Sequence, residues 1–254
     1  MPYYSGTHRI YYEASGPEAG HAVVLLHHGL GSIQAWKAQL PALAEAGFHT
    51  VAFDRWGYGR SDPRQALSVP YFEDDLADLE GLLVELSISK VSLVGQSDGG
   101  TIGLYYAVRH PEQVAGLVTV AAHIYVEPKM LPGIQGVRHA YESDPRFSEG
   151  LRRVHGHKVE AVFFNWYNGW TQERNLTWDM RPLLGQVTCP TLVVQGLEDE
   201  HATPQHARDI AAAIPKAKLW LVEDARHMLP QERAEEFNGR VIRFLEQLGE
   251  INVQ

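Results

Sequence analysis

The sequence is poor in cysteine, in basic charge and in long apolar runs, and each shortage excludes something. Cys189 is the sole cysteine among 254 residues, so no intrachain disulfide can staple the fold. The chain is long enough to bury one large core without a disulfide or a metal. Lys and Arg number 22 against 31 Asp and Glu, a net charge of −9, with no basic cluster. Phosphate backbones are held by clustered Lys and Arg, so neither nucleic acid nor an anionic membrane surface is an expected partner. No apolar run approaches membrane-spanning length, and Met1-Pro2-Tyr3-Tyr4-Ser5 carries no apolar signal core. The expectation is a cytoplasmic protein.

What is present is a rhythm of short apolar runs, turns and amphipathic stretches. Residues 21–27 contain Ala22-Val23-Val24-Leu25-Leu26, too apolar to alternate, as a parallel strand covered on both faces would be. Similar runs predict strands at 48–53, 91–95, 114–120, 191–195 and 219–222, with one or two more within 9–14. Helical spacing marks Trp36, Leu40 and Leu43 after a capping Ser32, then Phe72, Leu76, Leu79, Leu83 and Leu86. Further helices are predicted at 97–109, 205–213 and 237–248. Alternating strands and helices imply an α/β fold with a mainly parallel central sheet and helices on both faces. From 123 to 186 the rhythm stops and aromatics crowd in. That stretch reads as a small helical cap over the carboxyl edge of a core made of 1–122 and 187–254.

Gly95-Gln96-Ser97-Asp98-Gly99 is the sharpest local signal. A nucleophile on a tight strand-to-helix turn brings the flanking chains together, so positions two before and two after it must lack bulk. A serine hydroxyl needs a base, and the base needs an orienting acid. Downstream, the strand 192–196 leads to Glu198-Asp199-Glu200, and the strand 219–222 leads to His227. Acid and base therefore follow strand carboxyl ends, on the same edge as Ser97. His201 and His206 lie too close to the acid's own loop to serve, and Asp199 is preferred over its flanking glutamates. The oxyanion donors are the backbone amides of Asp98 and Leu30, the latter in the loop His27-His28-Gly29-Leu30-Gly31. His28 is expected to prop that loop.

With these residues in view, the sequence resembles the α/β-hydrolase superfamily over nearly its whole length. The resemblance rests on His28-Gly29, on Asp54 with Gly57-Tyr58-Gly59-Arg60-Ser61, and on the Gly95–Gly99 turn. His110-Pro111-Glu112, Gly196-x-x-Asp199 and the late His227 complete it. It is closest in kind to capped carboxylesterases, lactonases and carbon–carbon-bond hydrolases. Membership implies a triad of Ser97, His227 and Asp199, a backbone oxyanion hole, the helical cap and no cofactor. The chain departs from the usual pattern at Arg226, Gln96 and Asp98; an ionised, inward Asp98 would disfavour anionic substrates. Dehalogenase and epoxide-hydrolase chemistry needs a carboxylate where this chain has Ser97.

The expected function is a serine hydrolase of neutral short- to medium-chain esters or lactones. The alternatives are cleavage of a carbon–carbon bond in a vinylogous diketone, and a triad-bearing small-molecule receptor. His155-Gly156-His157 and His201 with His206 lack a convincing ligand set, so no metal is expected. Candidate substrate-contacting side chains are His28, Trp56, His123, Phe163, Trp166, Trp170 and Met228.

Overall fold

The computed structural model describes residues 3–251. Eight strands form one sheet: β1 (Tyr3–Ser5), β2 (Arg9–Ser15), β3 (Ala22–Leu26), β4 (His49–Phe53), β5 (Val91–Gln96), β6 (Val114–Val120), β7 (Thr191–Gly196) and β8 (Ala217–Val222). Their spatial order is β1-β2-β4-β3-β5-β6-β7-β8. β1 and β2 run antiparallel to their neighbours, and from β4 onward every pairing is parallel. The second extra strand lies at β1, outside the 9–14 window.

The helices are α1 (Gln39–Glu45), α2 (Glu73–Glu85), α3 (Asp98–Arg109), α4 (Met130–Ser143), α5 (Pro145–His155), α6 (Val159–Thr171), α7 (Gln205–Ala213), α8 (Leu229–Glu232) and α9 (Ala234–Ile251). Side chains alternate across a strand, so each central strand feeds two cores. Val24 and Leu26 of β3 pack with Leu79 of α2, Ile102 of α3 and Ile210 of α7. Val23 and Leu25 pack with Leu43 of α1 and with Phe237, Val241 and Leu248 of α9. Coverage on both faces is why β3, β5 and β7 are buried at every position and why their sequences read as unbroken apolar runs. Edge strand β8 is half exposed, which explains its weaker signal.

Ser32 accepts from the Gln34 amide and caps a short 3₁₀ turn, Ile33–Trp36, ahead of α1. The chain leaves β3, forms β4 on one side of it, and returns across it to β5 on the other. Such a reversal opens a crevice at the carboxyl ends of the neighbouring strands, where open α/β sheets take their ligands. Between β6 and β7 there is only an isolated bridge, Tyr125 to Asp179, among helices α4 to α6 and 3₁₀ turns. Met130, Ile134 and Trp170 of this segment pack into the same apolar cluster as β3 and β5.

Candidate active site

Four strand ends build the site: Ser97 follows β5, Asp199 lies beyond β7, His227 beyond β8, and His123 beyond β6. Ser97 sits at φ 54°, ψ −120°, in the left-handed region that favours glycine. A Cβ on Gly95 would run into the Gly99 carbonyl, and one on Gly99 into the Leu26 carbonyl. The spacing of the two glycines around Ser97 is thus a steric requirement of the turn. Ser97 is held from below by its amide, which donates to Val120 O at 2.8 Å.

His227 is buried, with Nδ1 2.9 Å from Asp199 Oδ2. The same oxygen accepts from Gln195 Nε2 at 2.8 Å, while Asp199 Oδ1 accepts from the amides of His201 and Ala202. Burial alone would raise the carboxyl's pKa; His227, its hydrogen bond and the His201 amide prevail and hold it well below the usual carboxylate range. Burial likewise opposes charge on His227, yet Asp199, the bond to it, Glu200 and Asp98 place the imidazole above its ordinary value.

Ser97, Asp98, His28, Gly29, Leu30, His123, Trp166, Trp170, His227 and Met228 line one cavity of about 320 Å³, a size suited to one small molecule. Asp199 stands behind His227. Neither the Leu30 amide nor the Asp98 amide has an acceptor among the described residues. Both are backbone donors at the cavity wall, and Asp98 opens α3, whose amino terminus favours negative charge.

Two expected lining residues lie elsewhere. Trp56 faces an outer groove: its Nε1 donates to Pro63 O, and its ring stacks on His8 at 3.6 Å. The Arg64 guanidinium, 4.7 Å from the ring centre, adds to the contacts that hold Trp56 there. Phe163 is fully buried inside the helical segment, stacked on Tyr141 at 3.9 Å. His28 lines the cavity, but the loop is propped by its neighbour. His27 Nε2 accepts from the Arg55 amide, so Nδ1 carries the proton and donates to His28 O at 2.8 Å. Burial pushes His28 down to about 3, leaving its ring neutral.

Asp98 is buried, accepts from Trp170 Nε1 at 3.2 Å, and lies 3.6 Å from Arg55 Nη2. Arg55 also reaches Asp75, which pairs with Arg64 at 2.8 Å. Burial raises Asp98 to about 6 even against Arg55, so it is ionised above that pH.

Residues given no role from the sequence complete the picture. Met130, Ile134 and Val137 of α4, with Phe147 and Leu151 of α5, make an apolar wall. Gln96 donates to His227 O at 3.0 Å, and Glu200 accepts from the His227 amide at 3.2 Å. Gln96 and Gln195 were visible as lone amides at the ends of apolar strands, a signal of a buried polar contact.

A strand–turn–helix serine with this sheet topology defines an α/β hydrolase, and the chain belongs to the family described as the alpha/beta hydrolase fold, matching it over residues 22–182. It is 32% identical over 243 residues to the serine hydrolase BPHL of Homo sapiens, covering 94% of this chain and 83% of that protein. It is 26% identical to the 2-hydroxy-6-oxo-6-phenylhexa-2,4-dienoate hydrolase of Comamonas testosteroni over 94% of this chain and 91% of the other. Its fold matches the enol-lactonase of Burkholderia xenovorans LB400 with a TM-score of 0.79 at 24% identity, spanning 96% of this chain and all of that one. The chain is a hydrolase of this family. Among the described residues no helix is long and apolar enough to cross a membrane, and no group of His, Cys, Asp and Glu could hold a metal.

Proposed function

We propose that the protein hydrolyses carboxylic esters or lactones through an acyl-enzyme on Ser97. The observation that carries this reading is the shared cavity of Ser97 and His227, with His227 bound through Nδ1 to Asp199. Ser97 Oγ bonds the acyl carbon as its proton passes to His227 Nε2, and the carbonyl electron pair moves onto oxygen. The Leu30 and Asp98 amides hold that oxyanion. Collapse breaks the bond to the alcohol, which leaves with the proton from His227. Water then attacks the acyl group, gives its proton to His227, and releases the acid as Ser97 regains its own. Asp199 keeps the proton of the resting imidazole on Nδ1 throughout.

No cofactor enters these steps. Residues 123–186 act as the cap, and their apolar wall takes the acyl or alcohol chain. Among the described residues lining the cavity, the formal charges are those of Asp98 and Glu200, with no Lys or Arg. Neutral or ammonium-bearing esters therefore suit it better than carboxylate-bearing ones. A dienoate brings a carboxylate of its own, so ester cleavage is preferred here over carbon–carbon cleavage.

The test is a fluorophosphonate label mapped by peptide mass, with an acyl-chain series of chromogenic esters. Label on Ser97 and multiple turnovers support the reading; single turnover with tight binding would make the protein a receptor. Replacing Asp98 with Asn, which keeps an acceptor for Trp170, should narrow the preference for neutral over carboxylate-bearing esters about tenfold in kcat/KM. An unchanged ratio would remove Asp98 from substrate selection. The pH profile follows from His227. Its imidazolium cannot accept a proton from Ser97, so kcat/KM falls as pH falls through a midpoint above 6.5. The limb should persist in Asp98→Asn, which removes the titration of Asp98 near 6.

A further inference from the structure

Beyond the triad, one buried histidine grips the oxyanion loop from the helical segment. His155 ends α5, is 2% exposed, and bridges two backbones. Its Nδ1 accepts from the Gly59 amide at 3.1 Å, so the ring proton sits on Nε2 and is donated to Leu30 O, also at 3.1 Å. Burial, against the Leu30 bond, holds its pKa down to about 4, so this tautomer persists at neutral pH. In the same loop His27 holds His28 O, so two histidines fix its backbone, one at His28 and one at Leu30.

Phe147, Leu151 and His155 are spaced four apart on α5 and share one helix face. The first two line the cavity, and the third holds the loop. We propose that His155 is a positioning residue that fixes the Leu30 amide for the oxyanion and ties it to the helix forming the acyl wall. The proposal rests on the reading of Leu30 as an oxyanion donor. An oxyanion contact matters most in the transition state, so its loss appears in kcat rather than KM.

Two isosteric variants separate the two bonds. His155→Gln places a donor near the Nε2 position and keeps the bond to Leu30. His155→Asn places its amide near Nδ1 and keeps only the bond to Gly59. With a neutral chromogenic ester, the Asn variant should lose about tenfold in kcat with KM within about twofold, and the Gln variant should stay near wild type. Fluorophosphonate labelling, whose adduct oxygen occupies the same site, should slow in parallel. Thermal melting identifies any variant that fails to fold. Wild-type kcat in the Asn variant, equal kcat losses in both, or losses confined to KM would overturn the proposal. Absence of turnover and of Ser97 label in the wild type would instead refute the underlying hydrolase reading.

Discussion

Replacing Ser97 with alanine should lower kcat for a short neutral ester about 10⁵-fold and abolish fluorophosphonate labelling. Ser97 carries the one hydroxyl among the described residues lining the cavity, which has no cysteine, threonine or lysine to take its place. The variant leaves His227, Asp199 and both backbone donors in position, so residual hydrolysis would be water attack assisted by the remaining machinery. Alanine at φ 54° is no better suited to that backbone than serine; thermal melting should be close to wild type. Steady-state and burst kinetics on the same protein decide the matter. Turnover within tenfold of wild type would show that the nucleophile is elsewhere, or that a water does the work without an acyl-enzyme.

How much of this could be read in advance depended on whether a residue's neighbours are local in sequence. β3, β5 and β7 are covered on both faces, so their apolar runs announced them; Tyr3–Ser5 has three residues on the sheet edge and announced nothing. The turn around Ser97 was legible because its glycines are a steric demand within five residues. The pairing of Asp199 with His227 followed from chain order and strand ends. Direction was not legible. Trp56 and Phe163 are aromatic in the right neighbourhoods, but a stack on His8 holds one in an outer groove and a stack on Tyr141 buries the other. Met130, Ile134 and Val137 have the spacing of any amphipathic helix, so nothing in the sequence separates a cavity wall from a core face. His155 and His27 act through bonds to backbone atoms far along the chain, contacts that no motif spacing records.

The Asp98 network shows the same difficulty on the side of charge. From sequence, a carboxylate beside Ser97 is a bare negative charge; in the fold it meets Arg55, itself shared with Asp75 and backed by Arg64. These carboxylates and guanidinium groups bury together because each is paired, which an isolated Asp98 could not do without neutralising. Its selectivity effect is therefore tempered by Arg55, which is why a tenfold change rather than a larger one is expected.

Asp199→Asn should reduce kcat about 10⁴-fold at neutral pH while leaving the cavity intact. Every group facing the carboxylate is a donor: His227 Nδ1 and Gln195 Nε2 at one oxygen, the His201 and Ala202 amides at the other. Asparagine satisfies the two amides with its oxygen and must turn its NH₂ toward His227. Nδ1 then becomes the acceptor, the ring proton moves to Nε2, and that nitrogen can no longer take the proton from Ser97. A second signature separates this tautomer effect from simple loss of packing. Asp199 is the leading influence that holds His227 above its ordinary value against burial. Without that charge, burial prevails, and the acid limb of whatever activity remains should move below 6.5. Fluorophosphonate labelling should slow with kcat, because formation of the adduct needs the same proton transfer. An Asn variant within tenfold of wild type, with its acid limb unmoved, would mean that His227 is oriented by something other than Asp199.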